Sequence, residues 1–427
     1  MYLRKVSYEC SSGTNGFRIF IRYEEERQQE KILYFAVCVH SSLRSCHSDP
    51  ISAKKAGVSE TRTLRVSLYP IVPDMERYKK AVTMNWEAKH PDTKLELVDW
   101  YCYDEDLPDD LDVFVFDGIY LTEYLEKGYL LPIPEEAIQD IEDFIPFTTD
   151  RLRKDGNFCA VPQLICTSLL YTRKGDTELA GVSDTVMLYE KLGDRKNQSE
   201  VPDENEGLLI DMSGGTSKVI MYLDAQIDYS DTYTEYEDLP VKETFSEEAL
   251  DLLRLLVKMG GAAQVKYKSE SDELYERARW FAEGKGRAYI GYSETMAMMG
   301  DGVNDIDFRI FSYSDRGGVP LFSVDLAGVN AKISDDKKEL AYELVDMITS
   351  EEAMAKVVMP EGKGTPQYLL PARIHIYDLL SEASPVNGQL KVIALDPKNK
   401  FLRMGSNAHE YISNTKRELP DLVFPKE

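Results

Sequence analysis

Histidine and cysteine are scarce in this sequence, and no stretch of it stays apolar for long. Five His and six Cys occur in 427 residues, the cysteines at 10, 38, 46, 102, 159 and 166. None forms a Cys-x-x-Cys or a Cys/His pair at zinc-ligand spacing, so neither a metal centre nor a disulfide framework is expected. No run nears the ~20 apolar residues that cross a bilayer, so no membrane span is expected. Basic residues are in deficit: 50 Lys+Arg face 75 Asp+Glu, a net charge of −25. The deficit is uneven, with +3 over residues 1–62 and −28 over 63–427. So acidic a surface repels nucleic acid and draws cations toward a cleft, although acidity that merely aids solubility is as common. The acidic stretch DEDLPDDLD (104–112) lacks the ligand spacing of an EF-hand and reads as a solvated loop. SGGT (213–216) has the composition of a phosphate cradle, but a Gly pair before a helix is ordinarily a turn. No cofactor is expected, and internal repeats are absent.

What is present is enough chain for two lobes. Residues 1–62 differ from the rest. Ile32–Val39 (ILYFAVCV) has the length of a signal-peptide core, but some thirty residues precede it and Glu24, Glu25, Glu26 and Glu30 spoil a basic flank. The segment reads as a poorly ordered, divergent leader or an overextended gene start, and export out of the cytoplasm is the expectation it supports. From residue 63 strands and helices alternate. TLRVSLYP (63–70), LELVDW (95–100) and DVFVFD (112–117) read as strands, with a helix capped by Asp74 between the first two. Such spacing implies a parallel sheet, whose ligands sit at the carboxyl ends of strands. Tyr69, Tyr103 and Asp117 lie at or beyond such ends. The apolar run 158–171, broken by Pro162, is long enough for two strands and suits a crossover between lobes. Residues 191–207 read as a polar loop. Ser246 and Ser334 read as helix caps, 277–294 as helix, glycine turn and strand, and 320–330 as a further strand.

Several segments resemble the periplasmic solute-binding superfamily: GNFCAVPQ (156–163), GKGRAYIG (284–291) and the helix pair over 334–357. More specific are LYPIVPD (68–74), VDWYCYDED (98–106), DVFVFD (112–117), PQLICTSLLYTRKGDTELA (162–180), LLIDMSGGTSK (208–218), RWFAEGKGRAYIGYSE (279–294) and LFSVD (321–325). In that order they resemble the thiaminase I (thiamine pyridinylase) family over roughly 63–415. The resemblance implies an α/β, two-lobed fold of the periplasmic-binding type II class with a central cleft. The lobes expected are 63–165 with 320–372, and 166–319 with 373–427. It also implies a transferase that cleaves thiamine by base exchange, replacing the thiazole with an amine or thiol. The nucleophile falls on Cys166, its activating carboxylate on Glu294, pocket tyrosines on Tyr69, Tyr103, Tyr275 and Tyr292, and pocket aspartates on Asp117 and Asp325. Two positions depart: Ile71 where the family has an aromatic, and Ser323 where it has a tyrosine. A wider pocket is the expectation there. The partners implied are small molecules, with no nucleic acid, acting on what is expected to be a monomer.

The chemistry needs such residues. A thiolate adding to the pyrimidine breaks its aromaticity and lets the ring expel the thiazole, splitting one hard step into two. A free thiol is only a few per cent ionised at neutral pH, so a carboxylate base with a burial-raised pKa beside it helps. Taken alone, a Cys in an apolar run is ordinarily inert packing, Glu294 has the position of a surface cap for the following helix, and any one of 26 tyrosines is ordinarily core or surface. A binding protein for thiamine or a similar cation on the same fold is the alternative; it would need neither Cys166 nor Glu294.

Overall fold

The computed structural model describes residues 62–427 apart from 104–105, 150, 231–238, 269–274, 317, 360–363 and 425–427, together with the strands Val6–Gly13 and Gly16–Tyr23. Those two strands pair antiparallel within a unit of their own, Met1–Ser59, distinct from Glu60–Glu427. The rest of the expected leader, including its apolar octet, lies outside the described residues, save that Arg62 already opens a strand.

Two sheets organise Glu60–Glu427. The first runs in the order Leu370–Pro371, Val161–Cys166, Leu321–Val329, Val113–Asp117, Arg62–Ser67, Thr93–Leu97, and Lys400–Phe401 pairs beside Leu321–Val329. Arg62–Ser67 is parallel to both of its neighbours, as the strand–helix alternation leads one to expect. Leu321–Val329 returns antiparallel between Val113–Asp117 and Val161–Cys166. The second sheet runs Glu204–Leu209, Gly286–Gly291, Leu169–Arg173, Ile306–Ile310. The apolar run 158–171 therefore places one strand in each sheet, with only Thr167 and Ser168 between them. Pro162 sits opposite Leu326, where the register shifts, so its missing N–H falls at an irregular point of the ladder.

The crossovers between the sheets are tied down. Thr167 Oγ1 donates to the Leu321 carbonyl at 2.7 Å, and Phe311 N–H donates to the Ser168 carbonyl at 3.0 Å. Asp228, on the helix Thr216–Ser230, accepts from Tyr313 N–H at 2.6 Å and Val319 N–H at 2.7 Å, gripping the returning segment from both ends. The helix Met75–Lys89 begins as expected, Asp74 accepting from Arg77 N–H at 3.0 Å, and buries Tyr78, Ala81, Val82 and Trp86 at helical spacing. Ser246 likewise caps Glu247–Gly260, accepting from Ala249 N–H at 3.2 Å.

Five local expectations need correction. The strand read over 95–100 is Thr93–Leu97; the apolar pattern runs past its end because Trp100 is buried edge-on against Phe114, at 5.7 Å, from a loop. The first strand stops at Ser67 rather than residue 70. Ser334 makes no side-chain cap bond, because a tight turn, Asp335–Lys337, precedes the helix Lys338–Ile348. Glu204–Leu209, which begins inside the stretch read as a polar loop over 191–207, is a strand because it pairs with Gly286–Gly291, and pairing overrides composition at a sheet edge. The acidic stretch over 104–112 is also less solvated than its composition suggests: Asp112 is buried and accepts from Arg65 N–H and Lys337 Nζ, each at 2.8 Å.

Candidate active site

The site forms where the first sheet's strand ends meet the crossovers. Cys166 is the last residue of its strand and pairs across the ladder with Ser323; Asp325, two residues on and on the same face, pairs with Leu164 on one side and Asp117 on the other. Tyr69 lies two residues beyond Ser67, and Tyr103 in the loop after Thr93–Leu97. From the second sheet, Gly286–Gly291 leads straight into Tyr292 and Glu294, and Tyr275 stands at the start of the helix Glu276–Ala282.

On the first wall polar groups form a chain. Tyr103 donates to Asp117 Oδ2 at 2.8 Å, and its oxygen lies 2.9 Å from the Tyr69 hydroxyl. Tyr103 has one hydroxyl hydrogen, so giving it to Asp117 makes Tyr69 the donor to Tyr103. Tyr69 also shares a side-chain hydrogen bond with Asp325, one that pulls that carboxyl's pKa down. Asp117 Oδ1 also accepts from Ile119 N–H at 3.1 Å. Burial pushes Asp117 up to about 6, against the pull of the Ile119 and Tyr103 hydrogen bonds. Asp325 stands well above the usual carboxylate range, first through burial and then through the charges of Asp117 and Glu294. Its Oδ1 is buried without a hydrogen-bond partner.

The second wall is less satisfied. Glu294 is buried, and burial raises its carboxyl to about 7, with only its own backbone N–H pulling down. The Tyr275 hydroxyl is buried without a partner. Tyr292 is held through its carbonyl, which accepts from Tyr171 Oη at 2.8 Å and Thr295 Oγ1 at 2.6 Å. The Cys166 thiol is pushed up by burial and then by Asp325, Glu294 and Asp117, while a hydrogen bond with Ser323 pulls it down. Tyr275 and Tyr292 both feel Cys166 and Glu294 electrostatically, and Tyr69 feels Cys166, Asp117 and Asp325.

All eight residues singled out in the sequence are thus linked into one region by hydrogen bonds and mutual electrostatic influence. The dominant charges there are acidic, and the region suits a cation that also offers N–H groups. Among the described residues no group of His, Cys, Asp and Glu could hold a metal ion. Two contacts escaped the sequence reading. The Ser323 hydroxyl bonds the Cys166 thiol, although the period-two spacing of LFSVD already puts residues 323 and 325 on one face. Tyr171, read as apolar strand, supplies the hydroxyl that holds Tyr292. Ile71 is half-buried and packs against the core.

Comparison with known proteins gives the family and the fold of the chain. A family model described as the Thiaminase-1 domain matches residues 167–314, a range that holds Tyr275, Tyr292 and Glu294 and begins one residue after Cys166. The thiaminase-1 of Paenibacillus thiaminolyticus is 40% identical over 372 residues, 87% of this chain and 90% of that protein. Clostridium botulinum thiaminase I in complex with thiamin matches with a TM-score of 0.82 at 44% identity, covering 84% of this chain and 99% of that one. Maltose-bound MalE3 of T. maritima matches with a TM-score of 0.59 at 18% identity, covering 84% and 100%, a likeness of fold alone. The architecture is the type II periplasmic-binding-protein fold.

Proposed function

The chain belongs to the thiaminase I family, and from that premise we propose that it cleaves thiamine by base exchange, with Cys166 as nucleophile and Glu294 as its base. The observation that carries this is a thiol and a carboxyl of pKa about 7 set in one acid-rich, tyrosine-lined space. Glu294 takes the thiol proton, and the thiolate adds to the pyrimidine ring of thiamine. The electrons gained by the ring expel the thiazole from the bridging methylene. An amine or thiol then bonds to that methylene, and Cys166 leaves as thiolate and recovers its proton. A bound thiazolium places a positive charge beside Asp117, Asp325 and Glu294, offsetting the repulsion that opposes thiolate formation.

Asp325 Oδ1, buried and unpartnered, suits an N–H of the aminopyrimidine, and Asp117 and the tyrosine faces suit its other edge and the cationic ring. A loss of side-chain bulk at Ile71 and Ser323 relative to the family widens the pocket in this reading. The lobe limits above carry into the proposal with one amendment: Lys400–Phe401 pairs in the first sheet. Monomeric action outside the cytoplasm completes the proposal, resting on the apolar octet Ile32–Val39; among the described residues no helix is long and apolar enough to cross a membrane.

The test is to incubate the protein with thiamine and a nucleophilic amine, and follow release of the free thiazole alcohol. Without the amine, intact mass should rise by the pyrimidinylmethyl fragment, located by peptide mapping within PQLICTSLLYTR. Cys166→Ser should abolish the adduct and lower turnover by at least about 10³-fold. A Cys166→Ser protein that cleaves at the wild-type rate would sink the mechanism; wild-type protein that binds thiamine without releasing thiazole would identify a binding protein.

A further inference from the structure

His409 lies far from Cys166 in sequence and outside every motif that marks the site, yet its ring reaches the loop that carries Tyr103. It stands near the start of the helix Ala408–Val423, whose body packs on the helices Thr216–Ser230 and Glu247–Gly260; near the far end, Arg254 Nε donates to the Leu422 carbonyl at 2.9 Å. At the near end His409 Nδ1 meets Glu123 Oε1 at 2.9 Å, its backbone N–H donates to Glu123 Oε2 at 2.9 Å, and its Nε2 lies 2.7 Å from the carbonyl of Cys102. Each ring nitrogen faces an oxygen that can only accept: a carboxylate held ionised, since hydrogen bonds from His409 and Lys127 bring Glu123 down to about 2 despite its burial, and a peptide carbonyl. Both contacts are made together only when both nitrogens carry hydrogen.

The ring also stacks on Tyr120, with centroids 3.8 Å apart and planes 16° from parallel. Tyr120 in turn meets Tyr103 edge-on at 5.8 Å. Tyr103 is thus braced twice, through the peptide just before it and through the ring beside it, and it is Tyr103 that donates to Asp117 and receives Tyr69.

We propose that His409 is a positioning residue for the substrate pocket, clamping the Cys102–Tyr103 peptide and Tyr120 so that Tyr103 holds Asp117 and Tyr69 in place. This rests on the reading of Tyr103 as a pocket residue. A helix anchored beside the second sheet thereby sets the shape of the first wall. The residue touches no reacting atom, so its loss should appear in thiamine KM more than in kcat.

The test is a double-mutant cycle on the full chain with thiamine as substrate. His409→Ala should raise thiamine KM roughly 3- to 30-fold while kcat changes less. In a Tyr103→Ala background the same substitution should add less than about twofold, because the residue it acts through is gone. Arg254→Ala, which loosens the other end of the same helix, should lower thermal stability without moving KM. Glu123→Gln keeps the side chain's shape and removes the charge facing the ring; it should move KM in the same direction as His409→Ala and serves if the alanine variant does not fold. The proposal is overturned if His409→Ala and Glu123→Gln leave thiamine KM unchanged, if His409→Ala acts equally in both backgrounds, or if Arg254→Ala raises KM as much. Tyr103→Ala without effect on KM would overturn the pocket reading of Tyr103 itself, a separate observation.

Discussion

Glu123 and Glu294 are the same residue type at nearly the same exposure, 4% and 5%, and their carboxyls move in opposite directions. Glu123 is ringed by donors: the His409 ring and backbone N–H, and Lys127 Nζ at 2.8 Å. Its pKa falls to about 2. Glu294 has its own backbone N–H and otherwise acidic or aromatic company, and its pKa rises to about 7. How deeply a carboxyl is buried and which partners come with it decide together what it does, and Glu294 is both the more strongly desolvated and the less well partnered of the two. A paired carboxylate is a fixture that holds a helix to a loop, whereas an unpaired one near neutrality is poised to accept a proton.

The largest effect expected from breaking this contrast is on turnover. Glu294→Gln keeps the side chain's size and removes its basicity, so kcat should fall by about 10²–10⁴-fold with thiamine KM near the wild-type value. In the wild type kcat/KM should climb as pH rises through about 7, where the Glu294 carboxyl ionises. Steady-state profiles across neutral pH should lose that limb in the variant, and a retained limb would assign it to another group.

Stability should separate the two glutamates by sign. Glu123, with its pKa lowered from 4.5, contributes stability that is present above about pH 4.5 and is lost as pH falls toward about 2. Glu294, with its pKa raised from 4.5, does the reverse: the folded chain keeps a proton the unfolded chain releases, so stability declines between about pH 4.5 and about 7. Each slope is about 1.4 kcal/mol per pH unit at most. At neutral pH Glu123→Gln should therefore cost about 1–3 kcal/mol, while Glu294→Gln should be neutral or stabilising. Denaturant midpoints of the two variants read this directly, and equal losses would mean that Glu294 has partners comparable to those of Glu123.

The smallest effect sharpens the contrast at the thiol. Cys166 shares the acidic surroundings of Glu294, and Ser323 supplies a hydrogen bond that lowers its pKa. Ser323→Ala should slow alkylation of Cys166 by iodoacetamide roughly 2- to 10-fold at fixed pH and move its pH midpoint upward. An unchanged midpoint would mean that the serine hydroxyl points elsewhere in solution.

Much of the fold was legible along the chain because helices and strands announce themselves locally. Asp74 and Ser246 stand where caps belong, the period of Met75–Lys89 is helical, and the apolar run broken at Pro162 resolves into Val161–Cys166 and Leu169–Arg173. Even the shared face of Ser323 and Asp325 follows from alternation alone. The eight proposed site residues came from family resemblance, with Tyr69, Tyr103 and Asp117 marked also by their place at strand ends, since taken singly each has a commoner bland reading.

Tertiary structure decided the rest. Nothing local to Glu204–Leu209 reveals a strand; its partner 80-odd residues on makes it one. Nothing near His409 points to Cys102, 307 residues away. The register that sets Ser323 against Cys166 depends on how Leu321–Val329 returns between two other strands, and the pKa of Glu294 depends on how deeply the fold buries it. Residue order encodes faces, periods and caps, because those depend on neighbours a few positions away. Which strand ends meet, and which charges face one another there, depends on crossovers between distant segments, and the chemistry of this site resides in those meetings.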